Sequence, residues 1–336
     1  MRPSRPGPGP ADPLEDQNKP KDQNKPEPAN RLQPTTRPPQ RPLRTTLAET
    51  DHRLGPGPSL STRGPSRRAR DQLTRSRLQL TCLKPQPSDP LQGQTPPQDQ
   101  DDLSVSNLLE RANKNLERDG DSLLEDGDIA VHKTRLHKRN AALCVVRRCK
   151  WPKHKNGRVY VPYVLAKHYS AAQKSVIFRA FKSFSDATCV SFVPRYRQRD
   201  YLYIHSSNGC WSFIGRTGGQ QKLSLKSSGC IYFGTIQHEL LHALGFNHEH
   251  KRSDRDRYIR VLTQNIIKGK EHNFKKVRTL NQGTPYDYGS VMHYRNTAFS
   301  KNGRPTLVAR DGHSKFGYAT EMSLCDIQRV NRLYCS

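Results

Sequence analysis

The segment 238–249 reads His-Glu-Leu-Leu-His-Ala-Leu-Gly-Phe-Asn-His-Glu, and its spacing predicts a helix that carries metal ligands. Residues four apart lie on one face of a helix, so His238 and His242 can bind one ion together. Gly245 readily adopts a left-handed turn that ends the helix, which lets the chain double back and supply His248 as a third ligand. The sequence therefore predicts a three-histidine metal site.

Glu239 distinguishes a catalytic site from a structural one. Three protein ligands leave one position open for water, which is typical of catalytic zinc, whereas structural zinc normally has four protein ligands. Glu239 can reach a water at that open position and act as its general base. The alternative is an amphipathic core helix with ordinary surface or hydrogen-bonded histidines, and the third histidine and the glycine disfavour it. The pattern predicts a hydrolytic zinc site with Glu239 as a catalytic residue.

The residues that follow resemble a known family. The runs 238–256 and 290–294 resemble the astacin family of zinc endopeptidases, whose pattern is H-E-x-x-H-x-x-G-F-x-H-E-x-x-R-x-D-R-D followed by S-x-M-H-Y. The resemblance implies an α+β fold, a two-lobed zincin (metzincin) catalytic domain with the active-site helix in its cleft. It also implies that Met292 forms a turn beneath the zinc. Tyr294 would be a fifth zinc ligand and a catalytic group that swings away to stabilise the tetrahedral intermediate.

Proline content divides the chain. Of its 25 prolines, 20 precede residue 98 and five follow residue 139, and the pentamer Asp-Gln-Asn-Lys-Pro occurs at 16–20 and again at 22–26. Such composition cannot bury enough apolar surface to fold. We therefore expect a disordered Pro-rich segment over 1–98. The resemblance implies a propeptide over 99–139 and an astacin-like peptidase catalytic domain over 140–336.

The chain is strongly basic, and most of the excess lies in the expected catalytic domain. Lys and Arg total 57 against 30 acidic residues, a net charge of +27, and residues 140–336 carry 33 against 11, or +22. No basic helix, zinc-finger spacing or aromatic ribonucleoprotein motif accompanies this charge, so we expect no nucleic-acid partner. An acidic or sulfated extracellular target fits the charge, as does a solvated basic surface without a dedicated partner. A non-catalytic astacin-fold module that binds matrix or polyanions is the alternative function.

The cysteines indicate an oxidising compartment. Seven of the eight lie within residues 140–336, and six of them, all but Cys325, fall in pairs there; spacing alone allows 15 pairings of six. The resemblance implies three bridges: Cys189 to Cys335, Cys210 to Cys230, and Cys144 to Cys149, the last typical of the six-cysteine astacins that include fish hatching enzymes. Cys82 and Cys325 match nothing in that pattern, and we expect free thiols or an interchain link.

Disulfides imply a secreted, extracellular protein. The amino terminus, Met1-Arg2-Pro3, leads into more proline without the apolar run of a signal peptide, and no stretch of the sequence predicts membrane insertion. We expect that the start is mispredicted or that a first exon is missing. By resemblance to hatching enzymes, the protein substrate would be an egg-envelope glycoprotein.

The resemblance also implies a zymogen. Astacin propeptides carry a Gly-Asp pair whose carboxylate occupies the open zinc position, and Asp128 matches it. The bond between Arg139 and Asn140 resembles the site of an activating protease, and the freed amino terminus would then contact Glu249. Upstream, apolar spacing predicts a helix over 103–121 with Ser106 as its cap.

Elements of the catalytic domain follow from local patterns. We expect a strand over 159–164, and then a helix capped by Ser170 whose inner face is Ile177, Phe181 and Phe184. Further strands are expected over 189–193, 201–205 and 221–225, one of them offering an unpaired edge to an extended substrate. The zinc helix is expected over 235–245 and a last helix over 322–333, with little regular structure between them.

Overall fold

The computed structural model describes residues 82, 103–120, 122–132, 149–312 and 315–336. An eight-stranded sheet is its central element. Five strands come from the expected catalytic domain: β4 Val159–Leu165, β5 Val190–Pro194, β6 Tyr201–His205, β7 Cys210–Ser212 and β8 Gln220–Leu225. Three come from the expected propeptide: β1 Arg118–Asp119, β2 Ser122–Glu125 and β3 Ile129–His132. Their spatial order is β1-β2-β3-β7-β8-β6-β4-β5.

The sheet is parallel from β5 to β8 and becomes antiparallel at β7. Strand β4 runs parallel to β5 and β6, and β6 runs parallel to β8. Strand β7 is antiparallel to β8, and β3 pairs with β7 in parallel with Ile129 opposite Ser212. Strand β7 would therefore be the edge of the sheet without the propeptide strands.

The described residues form four α-helices beside the sheet: α1 Val105–Ala112, α2 Ala171–Ala187, α3 Phe233–Ala243 and α4 Leu324–Val330. Between α3 and α4, short 3-10 turns and a two-stranded sheet of β9 Ile259–Val261 and β10 Leu307–Ala309 are the regular structure. This region is as sparse in regular structure as the sequence predicts. None of the described helices combines the length and the apolar composition that a bilayer crossing requires.

Helix α2 forms where the sequence predicts it. The Ser170 hydroxyl accepts from the Gln173 backbone N–H, and the Gln173 side chain accepts from the Ser170 N–H, so two backbone groups at the helix start are satisfied. The predicted inner face of Ile177, Phe181 and Phe184 is buried in the main core. Burial of each such side chain contributes roughly 1.5–3 kcal/mol, which fixes the helix against the sheet.

Helix α3 is surrounded on all sides. Every residue from Gly234 to Ala243 is buried, including the polar ones. The helix is in close contact with the segment before α4, because a Cβ atom on Gly234 would lie 2.0 Å from the Thr320 carbonyl oxygen. Polar groups in such a position need partners, since burying them unpaired costs several kcal/mol.

Two local predictions were wrong. The helix expected over 103–121 ends at Ala112 and is capped by Ser104, whose hydroxyl accepts from the Asn107 N–H at 3.3 Å. The Ser106 hydroxyl instead accepts from the backbone N–H of Arg295. The residues after α1 form the β1–β2 hairpin, because pairing through β3 extends the main sheet. Strand β7, which pairs with β3 and β8, was not among the predicted strands, whereas the strand predicted over 189–193 is β5 at the end of the sheet.

The disulfides agree with the implied pairing except at two cysteines. Cys189 is joined to Cys335 and Cys210 to Cys230, so both of these predictions are confirmed. Cys149 is also in a disulfide, and its expected partner Cys144 lies outside the described residues. The expectation for Cys82 and Cys325 was wrong, because these two are bonded to each other within the chain, 243 positions apart.

Candidate metal centre

Three imidazoles and one carboxylate converge in the interior. The ligand atoms of His238, His242, His248 and Asp128 all lie within 4.8 Å of one another, and all four residues are buried. The Asp128 carboxylate is 3.0 Å from Nε2 of His238, 3.1 Å from Nε2 of His248 and 3.6 Å from Nε2 of His242. The structure therefore brings together the three predicted zinc ligands and the predicted latch.

Hydrogen bonds from the Nδ1 atoms of His238 and His242 determine that their Nε2 atoms face the centre without a proton. Nδ1 of His238 lies 2.9 Å from the Val291 carbonyl oxygen, and Nδ1 of His242 lies 2.8 Å from the Phe246 carbonyl oxygen. A carbonyl oxygen only accepts, so each Nδ1 carries the proton and donates it. Each Nε2 is then an unprotonated acceptor that faces a carboxylate. Acceptors that face one another in a dry interior need a cation between them, so this donor set fits zinc.

Burial keeps the imidazoles in the metal-binding form. Loss of hydration lowers the pKa of His242, and it lowers the pKa of His248 to about 3. Both rings are therefore neutral near pH 7, with a lone pair available for a metal. His242 Nε2 has no hydrogen-bond partner among the described residues, as expected for a ligand atom.

Glu239 lies beside these ligands with both carboxylate oxygens free of hydrogen-bond partners in the described part of the chain. The side chain is fully buried, and burial, followed by the charge of Asp128, raises its pKa well above the usual value. A buried carboxylate without partners is costly for stability. A carboxylate whose oxygens have no hydrogen-bond partner is free to exchange a proton with a reactant.

Two turns position the ligands. The left-handed Gly245, with φ at +102°, ends α3 and allows the Phe246 N–H to donate to the Leu241 carbonyl. The second turn, at 290–294, supplies the carbonyl oxygen that orients His238. Met292 lies in this turn, buried in the main core, and its carbonyl accepts from the Glu249 N–H at 2.9 Å.

Asp326, on α4, holds the second turn. Its carboxylate accepts from the Ser290 hydroxyl at 2.6 Å and from the Val291 N–H at 3.0 Å. Asp326 therefore fixes the carbonyl that orients His238. Sequence reasoning missed this residue, and its only local signal is the capping box that it forms with Ser323 at the start of α4.

Tyr294 lies next to the donor group, but its hydroxyl is not part of it. The ring centre is 4.5 Å from that of His248, and it stacks on His250 at 4.0 Å. The hydroxyl donates to the backbone carbonyl of Asp126. The assignment of Tyr294 as a zinc ligand and catalytic group thus stays a prediction, and its hydroxyl is held by the residue two positions before Asp128.

The segment expected to be a propeptide reaches the centre along β7. The Ser212 N–H donates to the Asp128 carbonyl at 3.0 Å. The Asn113 side-chain amide binds both backbone groups of Cys210, accepting from its N–H at 2.8 Å and donating to its carbonyl at 2.7 Å. At Gly127, with φ at +83°, a Cβ atom would lie 3.3 Å from the Phe299 ring. Glycine therefore lets the chain pass closely enough for Asp128 to enter.

A buried ion pair adds to these contacts. Lys251 binds the Asp126 carboxylate, and the side chains are 6% and 7% exposed. The Asp126 N–H also donates to the Asn273 side chain at 3.1 Å. Sequence reasoning did not single out these residues, although Lys251 and Asp126 each lie within three residues of a predicted ligand or latch.

Glu249 is buried and already paired. Its carboxylate accepts two hydrogen bonds of 2.8 Å from the Arg329 guanidinium, and Arg252 lies 3.3 Å away. Burial raises the pKa of Glu249, and the two arginines oppose that shift. Asn140, its expected partner after activation, lies outside the described residues, so that contact stays a prediction.

A sheet flanked by a helix that carries two histidines, with a third supplied after the turn at Gly245, defines the class as a metzincin-type zinc peptidase. The sequence profile of the Astacin peptidase family matches residues 147–335. This is more than half of the chain, and the chain therefore belongs to the astacin family.

Relatives agree with this assignment. The low choriolytic enzyme of Oryzias latipes is 46% identical over 233 residues, which cover 68% of this chain and 83% of the relative. The astacin-like metalloendopeptidase of Gallus gallus is 41% identical over 241 residues, covering 70% of this chain and 56% of the relative. A solved structure of high choriolytic enzyme 1, a hatching enzyme zinc-protease from Oryzias latipes, is 46% identical, with a TM-score of 0.54 over 55% of this chain and 94% of that chain. The chain is a zinc metalloendopeptidase that acts on protein substrates.

Replacing one histidine tests the metal site. We expect His242→Ala to weaken zinc binding by more than the roughly 10–100-fold that loss of an outer-shell partner costs. His154→Ala, at an exposed position away from the site, should keep the wild-type zinc content. Zinc per chain, measured by mass spectrometry after dialysis against a competing chelator, checks this. A full equivalent of zinc in His242→Ala would contradict the ligand assignment.

Proposed function

We propose that this chain is the latent precursor of a secreted zinc endopeptidase that hydrolyses extracellular proteins, with an egg-envelope glycoprotein as its natural substrate. Activation is hydrolysis between Arg139 and Asn140 by another protease. The observation that carries the proposal is the insertion of the Asp128 carboxylate among Nε2 atoms of His238, His242 and His248.

In this proposal the three histidines hold the zinc, and the bound zinc supplies a Lewis acid that polarises the scissile carbonyl and makes water more acidic. Glu239 accepts the proton of the attacking water and passes it to the leaving amine. Its unpartnered oxygens and its burial beside His238 support this role. The Tyr294 hydroxyl turns from the Asp126 carbonyl to donate a hydrogen bond to the oxyanion.

In this proposal the precursor is inactive because the propeptide occupies groups that catalysis and substrate binding need. Asp128 fills the position that water needs, Asp126 binds the Tyr294 hydroxyl, and β3 pairs with the β7 edge. An extended substrate needs the same backbone groups of β7, because strand addition to a sheet edge is the usual way to hold a peptide main chain. Removal of the propeptide therefore frees the metal position, the tyrosine and the edge together.

The substrate is proposed from similarity. Relatives with 44–46% identity carry the names low and high choriolytic enzyme, and one is described as a hatching enzyme. Disulfides between described cysteines support an extracellular location. Digestion of isolated egg envelopes by the activated protein, compared with collagen and casein, tests the substrate. Efficient digestion of casein with intact envelopes would reject the envelope as substrate while leaving the peptidase activity established.

A single substitution tests the proposed base. We expect Glu239→Ala to retain zinc and to lose peptidase activity by roughly 10²–10⁴-fold, the usual contribution of a positioned acid or base. Glu271→Ala, which changes an exposed glutamate, should behave as wild type. Cleavage of a quenched fluorescent peptide by the activated proteins, together with their zinc content, is the measurement. Wild-type turnover by zinc-loaded Glu239→Ala would remove Glu239 from this role.

The latch has its own test. We expect uncut Asp128→Ala to be roughly 10–100-fold more active than uncut wild type, since a contact to a charged group is worth about 1.5–3 kcal/mol. Glu125→Ala alters an exposed acid of the same propeptide and should stay latent. Peptide cleavage is measured on chains shown to be intact by gel. The latch assignment fails if uncut Asp128→Ala binds zinc and is as inactive as wild type.

A further inference from the structure

One disulfide joins the two sides of the proposed cleavage site. Cys82 precedes Arg139 and is bonded to Cys325, which follows it. Cys82 is buried, with 3% of its surface exposed. The other two disulfides between described residues, Cys189 to Cys335 and Cys210 to Cys230, lie entirely after Arg139. After hydrolysis at Arg139, the Cys82 bridge would join two separate chains, whereas the other two bridges would stay within one chain.

Cys325 belongs to a firmly held part of the catalytic domain. It lies in the first turn of α4, which begins with the reciprocal cap of Ser323 and Asp326. Asp326 binds the turn at 290–294, and Arg329, one helical turn further, binds Glu249. The residues after α4 are tied to the start of β5 by the Cys189 to Cys335 bridge. The attachment point thus depends on contacts made by the catalytic domain itself.

The same amino-terminal segment also contacts the catalytic domain without covalent bonds. Helix α1 lies against α3, with a Val105 methyl group 2.7 Å from where a Gly234 Cβ would be. Asn107 accepts a 2.9 Å hydrogen bond from the Arg295 guanidinium, and Asn113 and Asp128 make the contacts described above. The residues of the segment that make these contacts all lie between Cys82 and Arg139 in the sequence.

We propose that hydrolysis after Arg139 leaves the amino-terminal segment covalently attached through Cys82 and Cys325. The inference rests on the proposed activation site. The product is a two-chain protein in which Asp128 can return to the metal centre without diffusing from solution. A linked group acts at an effective concentration that reaches the millimolar range for short linkers, so the segment continues to compete with substrate after cleavage. Release of the part that carries Asp128 requires either reduction of this bridge or a second hydrolysis between Cys82 and Asp128.

Gel analysis of the cut chain tests the covalent link. The full-length protein is treated with a trypsin-like protease under limiting conditions, and amino-terminal sequencing establishes that Asn140 is a new terminus. We expect wild type to migrate as one species without reductant and as two with it. The double variant Cys82→Ser/Cys325→Ser should give two species in both cases, and Ser88→Ala, a change in the same segment, should match wild type. Release of the segment from wild type without reductant overturns the proposal.

Dilution tests the consequence for activity. When the cut proteins are diluted from about 1 μM to about 10 nM, the specific activity of wild type should stay nearly constant, because the competition is intramolecular. The specific activity of the double variant should rise by about tenfold or more as the free segment dissociates. An equal rise in wild type would overturn the proposed competition.

The two proposals fail in distinguishable ways. A chain in which no new terminus at Asn140 can be produced contradicts the activation site. In that case, mass spectrometry of unreduced peptides from the intact wild-type chain still decides whether Cys82 is bonded to Cys325. Cys82 bonded to a different cysteine overturns the tether whatever the cleavage result, and this measurement does not depend on how well the double variant folds.

Discussion

The Asp128 carboxylate and the unprotonated Nε2 atoms of two histidines only accept hydrogen bonds, and they face one another beside His248 at the centre of this protein. The rest of the structure depends on the cation that they require. The Val291 and Phe246 carbonyls fix the protons of His238 and His242 on the outer nitrogens, so the inner nitrogens point at the Asp128 carboxylate. Without a positive charge, this burial costs several kcal/mol per ionised group. Zinc offsets that cost. The turns at Gly245 and 290–294 and the carboxylate of Asp326 serve to keep the ligands in place.

Inhibition in the proposed precursor requires no distortion of the site. Three of the propeptide contacts occupy groups that the proposed mechanism uses: the metal position, the Tyr294 hydroxyl and the backbone of β7. The buried pair of Lys251 with Asp126 adds a charge interaction away from the metal. A bridge from Cys82 to Cys325 turns these separable contacts into an intramolecular equilibrium. In the proposed activation, cleavage and release are then two events, and the cut, tethered state is not yet fully active.

The sequence predicts what is decided locally. The three histidines lie within eleven positions, the first two at helical spacing and the third just after a glycine turn. The Ser170 cap and the inner face of α2 likewise need only neighbouring residues. Long-range contacts gave no such signal: Asp326 to Val291 spans 35 positions, Asn113 to Cys210 spans 97 and Lys251 to Asp126 spans 125. Strand β7 has three residues, too few for an alternating pattern. The Ser106 hydroxyl, expected to cap the helix, instead binds the distant Arg295, and the pairing of Cys82 with Cys325 crosses 243 positions.

The most direct measurement follows zinc and activity in one sample. The chain is cut after Arg139 and freed of its amino-terminal segment, and its zinc content and rate of peptide hydrolysis are measured before chelation, after chelation and after zinc is restored. We expect one zinc per chain, loss of hydrolysis in proportion to zinc removed, and recovery with one equivalent. Undiminished hydrolysis by protein that has lost its zinc would contradict the central claim.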